Sequence, residues 1–237
     1  MSNVIRIFRH IDCEGPAHFQ TLLEKQAIPY ELVRIDEGET VKPDLDAVAG
    51  LIFMGGSMSV NDPIKWIADE IALIQAAIHA EIPVLGICLG SQLMAKAMGA
   101  TIYPGPCMEL GWAPVDCVHQ QQPIESLWTH ELPDSINVFH WHGETFDLPE
   151  GATTIFSNER YRNQAFVLGP HLALQFHLEM ERAVIHEWLE RYPQDLERRC
   201  EEMPGKEAII SQTETYLTPL QDYAAILLHR WLTNCDF

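Results

Sequence analysis

The stretch Gly86-Ile87-Cys88-Leu89-Gly90 combines residue types and spacing that can do chemistry. Pro83 to Ile87 is a short apolar run of the kind buried in a parallel sheet, and Leu89 to Met98 has a helical pattern stopped by Gly99. A strand-turn-helix elbow between them lifts the Cys88 side chain out of a sharp bend, and the flanking glycines keep β-carbons out of the crowded turn. A thiol at a helix N-terminus meets free N–H groups and the positive end of the dipole, which favour the nucleophilic thiolate. The competing reading is a buried structural thiol.

A thiolate that attacks a carbonyl needs a base, a group to orient that base, and donors for the oxyanion. Phe176-His177-Leu178-Glu179 supplies the first two. Residues two apart in an extended segment face the same way, so Glu179 can hold the His177 imidazole in the tautomer that accepts the thiol proton. A His-x-Glu pair alone is weak and gains force from the cysteine elbow. Oxyanion donors are expected from the backbone N–H of Leu89 and from the turn at Gly55-Gly56, with Gly56 as the second donor. An ordinary tight turn is the plain alternative for the two glycines.

These groups must be positioned by a sheet. Asn3 to Phe8, Tyr30 to Ile35, Gly50 to Met54 and Pro83 to Ile87 read as strands, with helices opened at Gly15-Pro16 and spanning Ile64 to Ala80 between them. That alternation predicts an α/β fold with a mostly parallel central sheet covered by helices on both faces. The cysteine elbow and the glycine turn then both fall at carboxyl ends of strands, where open α/β sheets bind ligands. After Gly99 the pattern changes to short strands: Thr101–Tyr103, Trp112–Val118, Ser135–Trp141, Thr153–Phe156, Gln164–Leu168 and Leu172–Phe176, with turns at Gly105-Pro106 and Pro-rich connections. These predict antiparallel hairpins, a small sheet added to the parallel core or extending it. Helices follow at Met180–Arg191, 194–203, 206–217 and 219–231, giving one domain over residues 1–190 and a helical extension over 191–237. The apolar cluster of Ile226, Leu227, Leu228 and Trp231 suits packing on the core or a dimer surface.

Composition limits the partners. Of 237 residues, 47% are apolar, which suits a packed core. A formal net charge of −19 argues against nucleic acid and against an anionic membrane surface. Six cysteines form no Cys-x-x-Cys pair, and no run of 18 apolar residues occurs. The N-terminus lacks a secretory pattern, so free thiols in a reducing cytoplasm are expected.

Gly86-Ile87-Cys88-Leu89-Gly90-Ser91-Gln92, Phe176-His177-Leu178-Glu179 and Met54-Gly55-Gly56-Ser57-Met58-Ser59 together resemble the motifs of class I glutamine amidotransferase domains, most closely the glutaminase domain of GMP synthase and its free-standing relatives. The resemblance covers roughly residues 1–190. It implies a triad of Cys88, His177 and Glu179 that hydrolyses γ-glutamyl amides through a thioester, with no cofactor. It implies oxyanion donors at Gly56 and Leu89. It implies substrate contacts from Gln92 and from His142-Gly143-Glu144. The proline that usually follows the family's histidine is replaced by Leu178. The sequence has no Ser-Gly-Gly-x-Asp-Ser loop of an ATP pyrophosphatase, so any ammonia would pass to a synthetase subunit acting in trans. A γ-glutamyl peptide or conjugate is the alternative substrate, and a non-catalytic binding protein the alternative class. A chaperone or deglycase of the cysteine-elbow type fits poorly, because 89 residues separate Cys88 from His177 (177 − 88 = 89). A metal at His140 and His142 is not expected, because spacing places no third ligand.

Overall fold

The computed structural model describes residues 3–118 and 127–237. Among the described residues, nine strands form a single sheet: β1 (Val4–Arg9), β2 (Tyr30–Arg34), β3 (Val48–Phe53), β4 (Val84–Ile87), β5 (Ile102–Cys117), β6 (Ser135–Phe146), β7 (Thr153–Ser157), β8 (Ala165–Leu168) and β9 (His171–Leu174). Their order is β2-β1-β3-β4-β9-β8-β7-β5-β6. The first five strands pair in parallel and the remainder pair antiparallel. The expectation of a mostly parallel sheet is therefore corrected to one mixed sheet, in which the antiparallel strands extend the parallel half. β9 is the splice: it lies parallel to β4 on one edge and antiparallel to β8 on the other. The local pattern of each strand carries no information about that shared edge.

Both faces of the parallel half are buried, and the side chains alternate between them. Ile5, Ile7, Ile52, Leu85, Ile87, Leu172 and Leu174 enter one core layer, with α1 (Ala17–Lys25), α4 (Arg182–Arg191) and α5 (Lys206–Leu232) over it. Phe8, Leu51, Phe53, Val84 and Ala173 enter the other, under α2 (Lys65–His79) and α3 (Leu89–Ala97). This period of two, buried on both sides, is why the strands read as continuous apolar runs.

Two segments differ from the sequence expectation. Thr101–Tyr103 and Trp112–Val118 belong to one irregular strand, β5, whose register with β6 shifts between Pro104 and Glu109. The Gly105-Pro106 pair makes a bulge, not a chain reversal. Residues 119–126, part of the connection expected between β5 and β6, lie outside the described residues. The three predicted C-terminal helices are a short 3-10 turn, Pro193–Arg198, and the single 27-residue α5, which runs through Pro219. A proline there removes one backbone bond and costs about 3 kcal/mol. Buried Leu220, Ala224, Leu227, Leu228 and Trp231 anchor the helix on the main core and offset that cost. No helix among the described residues is long and apolar enough to cross a membrane.

Candidate active site

Cys88 links β4 to α3 with φ +50° and ψ −105°. A non-glycine residue at positive φ stores about 1–3 kcal/mol of strain, which the surrounding packing must hold. The glycines on either side show what that packing demands. A β-carbon on Gly90 would lie 2.0 Å from the Phe53 carbonyl oxygen, and one on Gly86 would lie 2.5 Å from the Gly90 backbone. Helix α3 thus rests directly on the strands, and Cys88 is held at the sheet's carboxyl rim.

His177 and Glu179 follow β9 in irregular chain, not in a strand running into a helix. His177 is tied to β6 by its N–H to the Phe139 carbonyl, 2.8 Å. Its Nδ1 lies 2.7 Å from Glu179 Oε1, both residues are buried, and His177 lines the same cavity as Cys88, whose Sγ donates to the Trp141 carbonyl at 3.7 Å. Burial alone would lower the His177 pKa. The Glu179 charge and the hydrogen bonds to Cys88 and Glu179 reverse this and raise it well above the ordinary value. Trp188 packs edge-on against the imidazole at 4.9 Å.

Gly56 faces the same cavity as Cys88 and His177, and Leu89 begins α3 beside it. Gln92 is buried, and its amide donates to Gln175 Oε1 at 3.1 Å and to the Glu144 carbonyl at 3.3 Å. Gly143 and Glu144 line the cavity, and Glu144 Oε1 accepts from Ser59 Oγ at 3.1 Å. His142 also reaches the cavity wall, but its nitrogens face protein atoms: Nδ1 lies 3.2 Å from the Glu144 carbonyl and Nε2 3.2 Å from Glu109 Oε2.

Glu109 is the residue that spacing did not place. It pairs across the sheet with His142, and His140 Nδ1 lies 3.4 Å from the same carboxylate oxygen. These three buried groups sit close enough to hold a metal ion. The carboxylate is, however, already filled. Oε1 accepts from Asn158 at 2.9 Å and Arg160 at 2.8 Å, and Oε2 accepts from Gln164 at 2.5 Å. Arg160 supplies a balancing charge, so the cluster reads as a brace beneath His142. Burial would raise the Glu109 pKa, but His140, His142 and Arg160 hold it well below the usual carboxylate range.

Sequence reasoning missed Gln175 and Glu14. Gln175 Nε2 lies 3.8 Å from Cys88 Sγ, and its place two residues before His177 was a usable signal. Glu14 comes from the loop after β1. It lines the cavity, and burial followed by the nearby Glu179 charge raises its pKa to about 7 against the opposing pull of His177 and His10. A single glutamate 163 positions from His177 leaves no local pattern (177 − 14 = 163).

A mixed sheet that presents a strained cysteine at a strand-to-helix elbow defines an α/β protein of the cysteine-elbow class. Within that class the chain belongs to the glutamine amidotransferase class-I family, which it matches over residues 16–190. That family is one of glutamine-hydrolysing enzymes. Among solved structures, it is similar to a glutamine amidotransferase from Methylobacillus flagellatus at 32% identity and a TM-score of 0.91, covering 100% of this chain and 96% of that one. It is similar to the glutamine amidotransferase-like protein YfeJ of Salmonella typhimurium, 28% identical over 79% of this chain and 80% of that protein. It is also similar to gamma-glutamyl peptidase 4 of Arabidopsis thaliana, 26% identical over 73% of this chain and 70% of that protein.

The cysteine pattern requires one correction. Cys107 on β5 and Cys200, just past the 3-10 turn, form a disulfide across 93 residues, while Cys13, Cys88, Cys117 and Cys235 are free. The expectation of six free thiols fails because the pair is brought together only by the fold.

Proposed function

We propose that the chain hydrolyses γ-glutamyl amide bonds with Cys88 as nucleophile, His177 as proton carrier and Glu179 as the group that orients it. The observation that carries this reading is the 2.7 Å contact between His177 Nδ1 and Glu179 Oε1 at the cavity that Cys88 and His177 both line. Cys88 Sγ attacks the side-chain carbonyl carbon, and the negative charge that develops on oxygen is met by the N–H groups of Gly56 and Leu89. His177 takes the thiol proton and delivers it to the departing nitrogen. Ammonia or an amine leaves, and a γ-glutamyl thioester remains. Water, deprotonated by His177, attacks the thioester and releases glutamate with the thiol restored. Gln92, Gly143 and Glu144 hold the amino-acid end of the substrate, with His142 and its Glu109 brace fixing that strand.

One observation favours a leaving group larger than ammonia. The cavity measures about 510 Å³, in the range that takes a drug-sized ligand. Its walls include Trp141, Trp188 and Tyr192, together with Asp195 and Arg198. Aromatic walls suit an apolar amine or a short peptide, so a γ-glutamyl peptide or conjugate fits this cavity better than ammonia. Free glutamine, with ammonia passed to a synthetase subunit in trans, is the other reading.

The test is turnover of purified protein on glutamine and on a panel of γ-glutamyl dipeptides and anilides, with Cys88→Ala as the blank. Conjugates should be cleaved with higher kcat/KM than glutamine and without any partner. Cys88→Ala should abolish all turnover with little change in melting temperature. Turnover retained by Cys88→Ala rejects the nucleophile. Glutamine hydrolysis that appears only with a synthetase and ATP rejects the conjugate reading.

A further inference from the structure

Beneath the Gly55-Gly56 turn lies a second buried histidine–carboxylate pair, separate from the cavity. His10, just past β1, and Glu70 on α2 are 1% and 0% exposed, and neither lines the cavity. His10 Nδ1 lies 3.0 Å from the Gly55 carbonyl oxygen. Its Nε2 lies 3.0 Å and 3.2 Å from the two Glu70 carboxylate oxygens. The Trp66 ring stacks on the imidazole at 4.8 Å with planes 13° apart, which leaves the ring no freedom to turn.

Both of these neighbours are hydrogen-bond acceptors, so the ring donates from each nitrogen and shares the charge of Glu70. The Gly55 carbonyl and the Gly56 N–H belong to one peptide unit. That unit is planar and trans, so fixing the direction of its oxygen fixes the direction of its N–H on the opposite side. A donor bound to the oxygen also polarises the N–H across the unit. From this geometry we infer that His10, held by Glu70 and Trp66, is a positioning residue that aims the Gly56 N–H at the developing oxyanion. The inference rests on the nucleophile and oxyanion reading given above. It adds a machine part that touches neither substrate nor sulfur.

An oxyanion donor acts in the transition state and little in the bound ground state, so its misalignment lowers kcat and spares KM. His10→Leu removes both ring bonds. His10→Asn keeps a side-chain N–H near the place of Nδ1. His10→Leu should lower kcat about 10- to 100-fold, somewhat less than outright loss of an oxyanion donor, with KM within about twofold. His10→Asn should recover most of the loss. Alkylation of Cys88 by iodoacetamide builds no oxyanion, so its rate should match wild type in both variants. A structural role would instead disturb the elbow and lower alkylation and turnover together.

The inference is overturned if His10→Leu keeps wild-type kcat, if alkylation falls in step with turnover, or if His10→Asn is no better than His10→Leu. Should His10→Leu fail to fold, Glu70→Gln decides. It should lower kcat several-fold with alkylation unchanged, and an unchanged kcat overturns the inference. Cys88→Ala is run beside these variants: turnover surviving there condemns the nucleophile reading itself, an outcome distinct from failure of the His10 proposal.

Discussion

His177 Nδ1 and Glu179 Oε1 lie 2.7 Å apart in chain that has left the sheet, and the imidazole between that carboxylate and the Cys88 thiol is buried. Burial would lower the His177 pKa, but the Glu179 charge and the two hydrogen bonds raise it. In the proposed reaction His177 must carry a proton to the departing nitrogen, so the alkaline limit is loss of that proton from the ring. Glu179→Gln keeps the shape and removes the charge. Its kcat/KM profile should lose its alkaline limb at lower pH than wild type, and kcat should fall about 100-fold or more. An alkaline limb that stays in place would show that Glu179 does not set the imidazole's proton affinity.

The elbow and this pair were legible in the sequence because each is local. A strand, a bend and a helix fit within Pro83 to Gly99, and a two-residue spacing joins His177 to Glu179. The parallel half was legible for the same reason, since each strand is a buried apolar run next to its own helix. What could not be read was set by pairings across long sequence distances. The splice at β9, the Glu109 carboxylate under His142, the disulfide and the approach of Glu14 to His177 exist only once the sheet closes. α5 was misread in the opposite way: Pro219 is a strong local stop, and tertiary packing on both sides of it prevails.

Gly90→Ala tests the strand–helix contact that holds the elbow. The added carbon would meet the Phe53 carbonyl at 2.0 Å, and a backbone atom cannot swing aside as a side-chain tip can. Helix α3 must shift, taking the Cys88 backbone with it. The variant should lose about 2 kcal/mol or more in denaturant unfolding and lose turnover even at temperatures where it is folded. A fully stable, active Gly90→Ala would mean the helix does not rest on β3.

Glu14 makes stability depend on pH in a defined direction. Burial raises its folded value from 4.5 to about 7, so the folded protein prefers the neutral acid. For a raised value, the contribution is fully present below the unfolded pKa and is lost as pH rises through the folded one. Glu14→Gln stays neutral throughout. Its melting temperature, relative to wild type, should therefore climb between pH 4.5 and about 7 and level off above that range. A difference that is flat with pH would place the Glu14 carboxylate in water rather than against the cavity wall.

The Cys107–Cys200 bridge ties β5 to the segment that follows α4, and that segment supplies Tyr192, Asp195 and Arg198 to the cavity wall. The tie is reinforced by the Cys200 N–H to the Met108 carbonyl at 2.8 Å, and Met108 lines the same cavity. Trp141 Nε1 donates to Asp195 at 3.0 Å, so the segment also fixes an aromatic wall. Loosening the tie should therefore act first on the wall that Tyr192, Asp195 and Arg198 form. Cys107→Ser, or reduction with a thiol, should cost about 2–5 kcal/mol of stability. It should raise KM several-fold for bulky γ-glutamyl conjugates while leaving KM for glutamine close to wild type. Equal increases for both substrates would mean that the segment supports the whole cavity, and an unchanged melt after reduction would mean that the bridge carries no load.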